Sequence, residues 1–397
     1  MTATQDLQAR WNNALMGNYG TPPVALAVGS GAEVWDVDGK RYLDLLAGIA
    51  VSALGHGHPA IVDAVSRQAA VLAHTSNLYL HEPGVRLAER LLQLLDAVDD
   101  GSRVFLCNSG TEANEAAFKL VRRHHGATRN RIVAAENGFH GRSMGSLGLT
   151  GKPAIRDPFA PYASEVTFVP YGDAEALRAA VGPDVAAVFL EPTLGESGVI
   201  PPPAGYLRAA REICDATGAV FVLDEIQSAI GRTGEWFAHP AENLRPDVIT
   251  LAKGLGGGLP IGACIGLGSF GSTLLRGDHG STFGGNLVSC AAALAVLQVI
   301  ESEGLLDNVR KVGEQLFTGI EAIDHPLLAG VRGKGLWLGI VLTSDASAAV
   351  ELACRQAGFL VNAVQPNAIR LAPPLVLTHE QAQSFLDALP GILDAAS

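Results

Sequence analysis

Apolar segments alternate with amphipathic ones through the middle of the chain. From about residue 103, short and continuously apolar segments predict β-strands: RVFLCN, RIVAAE, EVTFVP, VAAVFLEP, AVFVLDE and DVITLA. The segments TEANEAAFKLVRRH, DAEALRAAV and AGYLRAAREICDATG lie between them and predict helices. Continuous apolar strands that alternate with helices are typical of a parallel sheet covered on both faces. The pattern therefore predicts an α/β fold with a mostly parallel central sheet.

The two ends of the chain follow a different pattern. The segment AEVWDVDGKRYLDL alternates apolar and polar residues around Asp38-Gly39, which predicts a β-hairpin. After about residue 300, a helical stripe precedes the strand-like segments GLWLGIVL and AIRLAPP, with predicted helices around 345–357 and 378–389. The stripe consists of Leu306, Val309, Val312, Leu316, Ile320 and Ile323.

These patterns divide the chain into two predicted domains. A large domain would cover 51–300. A smaller α+β domain would combine an N-terminal segment, 1–50, with a C-terminal segment, 301–397.

Composition and charge exclude several classes of partner. The chain has 397 residues, 48% of them hydrophobic, and a formal net charge of −12. This negative charge argues against nucleic acid and anionic membrane surfaces as partners. The five scattered cysteines contain no C-x-x-C pair, and we expect no metal site. Because no apolar segment approaches the roughly 20 residues of a membrane span, we expect a cytoplasmic protein.

Three polar positions each follow a predicted strand. Ser109 and Thr111 lie where a strand ends and a helix begins, and the free amides and dipole of such a junction attract anions. Asp224 ends the strand AVFVLD, and Lys253 follows DVITLA and precedes a glycine-rich turn. Each position also has a plainer interpretation: a helix N-cap, a turn-capping carboxylate and a lysine that reaches solvent.

Taken together, the three positions predict a site for pyridoxal phosphate. The phosphate would bind at the helix N-terminus, the protonated ring nitrogen would pair with Asp224, and the aldehyde would bond to the amine of Lys253. Burial or nearby positive charge would lower the pKa of that amine, which makes it a nucleophile and a proton acceptor near neutral pH. The glycines after Lys253 would let the backbone turn beneath the cofactor.

A set of ordered motifs carries a family resemblance. The motifs are NSGTEANEAA, ENGFHGRSMGSL, EPTLGESG, DEIQSAIGRTGEWFA, TLAKGLGGGLPIGA, GSTFGGNLVSCAAA and RLAPPLVLT. In these motifs the chain resembles the class III aminotransferases, which are pyridoxal phosphate enzymes of fold type I, from about residue 18 to the C-terminus. The resemblance implies a homodimer with active sites at the subunit interface.

The resemblance also implies the cofactor contacts. Gly110 and Thr111 would bind the phosphate, Phe139 would stack on the ring, and Gln227 would approach the ring hydroxyl. Thr282 would reach the phosphate bound by the other subunit. The implied cofactor-binding set is Ser109, Gly110, Thr111, Phe139, Asp224, Glu225, Ile226, Gln227, Lys253 and Thr282, of which Lys253 and Asp224 are catalytic.

Substrate contacts follow from the same resemblance. Arg142 would bind the α-carboxylate of the amino donor and later the distal carboxylate of 2-oxoglutarate. Ser281 would lie beside the donor, and Tyr19 would help to hold its carboxylate. Arg370 would bind the α-carboxylate of glutamate or 2-oxoglutarate. Glu196 would pair with that guanidinium when an ω-amine occupies the site, because a buried unpaired charge is costly.

The implied reaction transfers the δ-amino group of N2-acetyl-L-ornithine to 2-oxoglutarate, giving N-acetyl-L-glutamate 5-semialdehyde and L-glutamate, in arginine biosynthesis. Ile49 occupies a position where ornithine aminotransferases carry a tyrosine, which favours a donor with an acylated α-nitrogen. Alternative donors are N-succinyldiaminopimelate, ornithine and 4-aminobutyrate. Alternative classes are a pyridoxal phosphate-dependent aminomutase and a non-catalytic binding protein. Arg370 favours the aminotransferase, because a mutase needs no keto-acid acceptor.

Overall fold

Helices and strands alternate along the chain, and the computed structural model describes residues 2–397. The helices are α1 (Ala3–Ala14), α2 (Ala47–Ala50), α3 (Pro59–Val71), α4 (Glu82–Leu94), α5 (Gly110–His125), α6 (Met144–Leu149), α7 (Pro153–Arg156), α8 (Ala174–Ala180), α9 (Tyr206–Thr217), α10 (Leu287–Ser302), α11 (Leu305–Glu321), α12 (Ser347–Ala357) and α13 (His379–Ala396). The strands are β1 (Leu26–Ser30), β2 (Glu33–Asp36), β3 (Arg41–Asp44), β4 (Arg103–Cys107), β5 (Arg131–Ala135), β6 (Val166–Val169), β7 (Val185–Leu190), β8 (Val220–Asp224), β9 (Val248–Leu251), β10 (Gly262–Gly266), β11 (Leu328–Lys334), β12 (Trp337–Leu342), β13 (Phe359–Leu360), β14 (Asn362–Gln365) and β15 (Ala368–Leu371). Short 3₁₀ helices lie at Gly17–Tyr19, Asp157–Phe159, His239–Glu242, Lys253–Gly256 and Gly268–Ser272.

The central sheet has the strand order β4-β10-β9-β8-β7-β5-β6. The pairs from β9 to β6 are parallel, whereas β10 is antiparallel to both β4 and β9. The predicted apolar segments form β4 to β9 of this sheet. The prediction of an α/β fold with a mostly parallel sheet is therefore confirmed.

Strand β10 was not predicted, because its sequence GACIG contains two glycines and lacks a strand pattern. The structure explains one of these glycines by close approach of another backbone segment. A Cβ atom on Gly262 would lie 2.5 Å from the carbonyl oxygen of Ser109. Packing against the first turn of α5 therefore requires glycine where strand propensity disfavours it.

Both faces of the central sheet are covered, as the apolar strands predict. Val188 and Leu190 of β7 belong to one apolar cluster, whereas Ala187 and Phe189 belong to another. Alternate residues of a strand point to opposite faces, so β7 is buried on both sides. The continuous apolar pattern, in place of an alternating one, has this cause.

The chain ends form two smaller sheets. The predicted hairpin is present, with β2 and β3 antiparallel around Gly39 at φ +86°. The two-residue strand β13 pairs in parallel with β3, so one sheet joins the two ends of the chain. The other sheet has the order β11-β12-β15-β14. The last helix, α13, continues past the predicted end at 389 to Ala396 and contains Pro390.

No single helix within residues 2–397 is long and apolar enough to cross a membrane. Within the same residues, α10 and α11 reach the necessary length and composition only when taken together, and they are bent by 70° at the break between them.

Candidate active site

The loops that follow several central strands meet in one cavity of about 390 Å³. Its lining includes Ser109 after β4, Phe139 after β5, Glu191 after β7, Asp224 at the end of β8 and Lys253 after β9. Open α/β sheets bind ligands at the carboxyl ends of their parallel strands. The structure thus brings together the three positions that the strand pattern singled out.

The first turn of α5 presents free amide groups to this cavity. Ser109 is the N-cap, and its hydroxyl accepts a hydrogen bond from the amide of Glu112 at 3.3 Å. In the described chain, the amides of Gly110 and Thr111 donate to no protein acceptor. A Cβ atom on Gly110 would lie 2.7 Å from Cδ1 of Ile226, so glycine leaves room at this turn. Free amides and the positive end of a 16-residue helix make this turn suitable for a phosphate.

Asp224 is buried and held by several donors. Its Oδ2 accepts hydrogen bonds from Nδ2 of Asn114 at 2.7 Å and from Nδ1 of His140 at 2.8 Å. Its Oδ1 accepts from the amide of Ile226 at 3.1 Å. Asn114 is itself fixed, because its Oδ1 accepts from the hydroxyl of Thr250 at 2.8 Å. The carboxylate therefore has a single orientation, and it lines the cavity.

His140 supports the charge of Asp224. Although burial opposes protonation, the hydrogen bond and negative charge of Asp224 raise the pKa of His140. Its Nε2 is buried and, among residues 2–397, has no hydrogen-bond partner. The raised pKa favours the protonated form of the ring, which donates through Nδ1 to the carboxylate.

Lys253 has a strained backbone and an amine whose pKa is lowered. Its φ is +44°, a left-handed value that costs a non-glycine residue about 1–3 kcal/mol. Burial lowers the pKa of its amine, an effect that the carboxylate of Glu196 opposes and the guanidinium of Arg370 reinforces. The amine makes no hydrogen bond or ion pair with another residue of the described chain. Strain of this kind is common at functional sites, where the surrounding structure imposes it.

Glu191 is a buried acid beside this network. Burial raises its pKa to about 7, and the charge of Asp224 adds to the rise. Its carboxylate accepts hydrogen bonds from the amides of Phe139 at 2.8 Å and Gly195 at 3.3 Å. These contacts fix the backbone beside the Phe139 ring.

Arg370 and Glu196 form an ion pair between Nη1 and Oε1. Arg370 lies in β15, and its guanidinium also donates to Oε1 of Gln227 at 3.0 Å and to Oδ1 of Asn362 at 2.7 Å. Although burial acts to raise it, the pKa of Glu196 is lowered by the nearby charges of Arg370 and Lys253. The pair is therefore charged, and each partner stabilises the other's burial.

Arg142 contrasts with that pair. Its side chain is exposed, its guanidinium lies 5.7 Å from the centre of the Phe139 ring, and it has no carboxylate partner in the part of the chain that the structure describes. Both residues line the cavity. An unpaired guanidinium at a cavity wall is suited to bind a carboxylate.

Other predicted site residues occupy different environments. Ser281 accepts a hydrogen bond from Nδ2 of Asn108, a cavity-lining residue, at 3.1 Å. Thr282 is exposed and outside the cavity lining. Tyr19 is 84% exposed and also outside it.

The three residues that follow Asp224 in the sequence differ in role. Ile226 and Gln227 line the cavity, and the Gln227 side chain is held by Arg370. The side chain of Glu225 is directed elsewhere, contrary to expectation. Its carboxylate accepts from the ring and amide of His239 and from the hydroxyl of Ser228. These hydrogen bonds hold the carboxylate of Glu225 away from the cavity, whose lining does not include this residue.

A strained segment precedes the cavity residue Val51. All four residues of α2 have left-handed φ values between 52° and 68°, and three of them are not glycine. Ile49, at φ +68°, is β-branched, which makes this conformation especially unfavourable. The sequence pattern gave no sign of this turn.

Asn114, His140 and Glu191 are site residues that the sequence did not indicate individually. Each lies inside one of the motifs quoted above. Asn114 carries the clearest available signal, because it is a polar residue among Ala113, Ala116 and Ala117 on the buried side of α5. A buried amide on an alanine-rich helix face needs a specific partner.

Comparison with known proteins agrees with this geometry. Residues 16–393 match the family model for class-III aminotransferases. The chain is 58% identical over 395 residues to the acetylornithine aminotransferase of Mycobacterium tuberculosis (strain ATCC 25618 / H37Rv), covering 100% of this chain and 98% of the relative. The crystal structure of the ornithine aminotransferase from Toxoplasma gondii ME49 has a TM-score of 0.94 at 30% identity, covering 100% of this chain and 96% of that chain. The acetylornithine aminotransferase from Elizabethkingia anophelis has a TM-score of 0.88 at 33% identity, covering 99% of each chain.

Proposed function

The chain belongs to the class III aminotransferases, and we propose that it transfers the δ-amino group of N2-acetyl-L-ornithine to 2-oxoglutarate. The products are N-acetyl-L-glutamate 5-semialdehyde and L-glutamate. The observation that carries the proposal is that a strained, partly buried lysine amine shares one cavity with the buried carboxylate of Asp224 and a free helix N-terminus. Full-length identity of 58% to a curated acetylornithine aminotransferase supports the choice of donor.

The cofactor of this aminotransferase is pyridoxal phosphate, and the described residues fit it. The amides of Gly110 and Thr111 would hold the phosphate, Phe139 would cover the ring, and Asp224 would pair with its nitrogen. The cofactor supplies an aldehyde that bonds to amines and a protonated ring that withdraws electrons from the neighbouring C–H bond.

The protein's own groups would do the remaining chemistry. Lys253, whose pKa is lowered by burial, would move a proton between the amine-bearing carbon of the substrate and the aldehyde carbon of the cofactor. Asp224, fixed by Asn114 and His140, would keep the ring nitrogen protonated. Gln227 would approach the ring hydroxyl. The lining of the cavity would limit access of water to these groups.

Substrate exchange would use the two arginines differently. Arg142 would bind the α-carboxylate of N-acetylornithine, beside Ser281 and Tyr19, and later the distal carboxylate of 2-oxoglutarate. Arg370 would bind the α-carboxylate of glutamate after Glu196 has turned away. With an ω-amine in the site, no carboxylate reaches Arg370, and Glu196 keeps its charge paired.

We also propose that the active unit is a homodimer with active sites at the subunit interface. Exposed apolar side chains cluster in sequence near Leu78, Tyr79 and Leu80, which are 85%, 70% and 97% exposed. Phe283, 59% exposed, follows Thr282, which lies outside the cavity of its own chain. This combination supports a role for Thr282 at the phosphate of the other subunit. A cytoplasmic location and the domain division 1–50, 51–300 and 301–397 are part of the same proposal.

A donor panel tests the substrate. We expect kcat/KM with 2-oxoglutarate to be highest for N-acetylornithine among N-acetylornithine, N-succinyldiaminopimelate, ornithine and 4-aminobutyrate. The apolar Ile49 leaves the free α-ammonium of ornithine without a partner, so ornithine should be poorer. A preference for ornithine would overturn the assignment of the donor while leaving the reaction class intact.

Two further measurements test the reaction class. Omitting 2-oxoglutarate should stop turnover after one equivalent of donor per active site, whereas an aminomutase would continue. Borohydride treatment of the purified protein should attach the cofactor irreversibly to the Lys253 peptide, detected by mass spectrometry. A binding protein without catalytic function would show neither the trapped lysine nor transfer of amino groups.

A further inference from the structure

A compact polar cluster connects the first turns of α5 to the loop that carries Arg142. We call Thr111, Glu115, Ser143 and Ser146 the hydroxyl cluster, because three hydroxyl side chains surround the carboxylate of Glu115 in it. Glu115 lies one helical turn after Thr111, and its Oε1 accepts hydrogen bonds from the Ser143 hydroxyl at 2.6 Å and from the amides of Gly145 and Ser146 at 2.8 and 3.1 Å. A carboxylate has no donor, so all of these contacts fix the loop to α5.

Glu115 acts on the loop as a cap supplied by another element. The amides of Gly145 and Ser146 belong to the first turn of α6, where no intrahelical acceptor exists. A Cβ atom on Gly145 would lie 2.2 Å from Oε2 of Glu115, so the carboxylate packs directly on the backbone. The charge of Glu115 therefore both satisfies and positions the start of α6.

Thr111 holds the same loop from its other side. Its Oγ1 accepts hydrogen bonds from the amides of Arg142 and Ser143, each at 3.1 Å, and lies 2.6 Å from Oγ of Ser146. Gly141, at φ +135°, has no room for a side chain, since its Cβ would lie 2.3 Å from Oγ1 of Thr111. The backbone before and after Arg142 is thus hydrogen-bonded to α5.

The Arg142 side chain, in contrast, has no anchor of its own. It is exposed and lacks an ion pair in the described chain, and its guanidinium lies 5.7 Å from the centre of the Phe139 ring. Where its guanidinium is presented therefore depends on the backbone, and the backbone depends on the hydroxyl cluster. We propose that Glu115 is a positioning residue that holds the Arg142 backbone so that the guanidinium meets the substrate carboxylate. The inference rests on the proposed role of Arg142.

Glu115→Ala should therefore weaken recognition of the carboxylate more than chemistry. We expect the KM for N-acetylornithine to rise about tenfold while kcat changes by less than about twofold. Glu115→Gln, which keeps one oxygen acceptor, should give an intermediate KM. Ser143→Ala removes one contact of the same carboxylate and should raise KM by about threefold. Glu314→Gln removes the same charge from an exposed position of α11 and serves as the matched control.

Two measurements separate positioning from a general loss of structure. The dissociation constant of pyridoxal phosphate, measured by tryptophan fluorescence of the apoenzyme, should stay within about twofold of the wild-type value. The single-turnover rate with n-pentylamine, which has no carboxylate, should change equally little. If Glu115→Ala slows the pentylamine reaction as much as the acetylornithine reaction, the residue supports the fold and the inference fails.

A double-mutant cycle gives the decisive result. In the Arg142→Ala background, Glu115→Ala should raise KM no further, because its effect passes through the missing guanidinium. An equal rise in both backgrounds would show that Glu115 acts by another route and would overturn the inference. If Arg142→Ala alone leaves KM unchanged, the proposed role of Arg142 fails first, and that outcome is distinct from a failure of Glu115 alone.

Discussion

Asp224 and Arg370 are both buried charged side chains in this site, and the exposure of their ionic partners differs. The side chains of Asp224 and its partner His140 are 3% and 1% exposed, and Asn114 is fully buried. The side chain of Arg370 is 1% exposed, whereas that of its partner Glu196 is 25% exposed. The carboxylate of Glu196 can therefore turn toward solvent, whereas the side chains of His140 and Asn114 are enclosed by protein.

This difference corresponds to what each end of the site would bind: Asp224 lines the cavity, and Arg370 adjoins it through its hydrogen bond to the cavity-lining Gln227. The Asp224 end would hold the cofactor, which stays through both half-reactions, so a rigid and buried arrangement of donors is favourable. The Arg370 end would accept a carboxylate in one half-reaction and none in the other. If Glu196 can move away, Arg370 is free to bind a carboxylate in one half-reaction. In the other half-reaction Glu196 pairs with Arg370, so that no buried charge is left unpaired.

The largest expected effect is at Lys253. Its amine shares the cavity with Asp224 and is also close enough to Glu196 and Arg370 for their charges to act on it. Lys253→Ala should lower kcat by about 10⁴-fold or more, because it removes the group that moves the proton. Transfer from N-acetylornithine to 2-oxoglutarate, measured by glutamate formation, checks this expectation. Lys311→Ala, an exposed lysine of α11, is the matched control and should retain wild-type activity. Wild-type speed in Lys253→Ala would remove the basis of the proposed function.

Asp224→Asn tests the rigid end of the comparison. The substitution keeps the shape but removes the charge, so we expect kcat to fall by about 10²–10³-fold. His140 should then lose the interaction that raises its pKa. The pH dependence of the absorbance of the bound cofactor, compared between variant and wild type, reports the protonation of its ring. An unchanged titration together with unchanged kcat would show that Asp224 does not control the ring nitrogen.

The sequence indicated these principal residues because each follows a strong strand signal. Lys253 and Asp224 end apolar segments, and residues at strand ends of a parallel sheet converge at one edge. It did not indicate the supporting residues, because their roles depend on contacts distant in sequence. Asn114 and Asp224 are separated by 110 positions, and Glu115 reaches a loop about 30 positions later.

The same limit applies to backbone geometry. The pair Asp38-Gly39 predicted a hairpin turn, and Gly39 has a positive φ value. The left-handed φ values of Lys253 and Ile49 were not predictable, since local preference disfavours them in both residues. Only the surrounding packing imposes such conformations.

Glu191 offers a test of burial at the rigid end. Its pKa of about 7 in the folded protein lies above the ordinary value of 4.5, so the folded state binds more protons than the unfolded state between these values. Its contribution to stability is therefore present below about pH 4.5 and is lost as the pH rises through 7. Glu191→Gln lacks this titration.

The free energy of unfolding in urea, measured for wild type and Glu191→Gln from pH 5 to pH 8 at saturating pyridoxal phosphate, checks the prediction. The wild type should lose up to about 3 kcal/mol relative to the variant across this range. Parallel pH profiles of the two proteins would mean that Glu191 titrates normally in the folded state.

The smallest effect is expected at the exchangeable end. Glu196→Gln removes the charge that neutralises Arg370 but leaves the hydrogen bonds from Arg370 to Gln227 and Asn362 in place. The arginine should then attract carboxylates more strongly, and it should tolerate an ω-amine less well, because no counter-ion remains in that half-reaction. We expect kcat/KM for glutamate to rise and that for N-acetylornithine to fall, so that their ratio shifts by about tenfold. Single-turnover measurements of the two half-reactions determine this ratio directly. If both half-reactions slow by the same factor, Glu196 serves the chemistry common to them, and the contrast between a fixed end and an exchangeable end of the site does not hold.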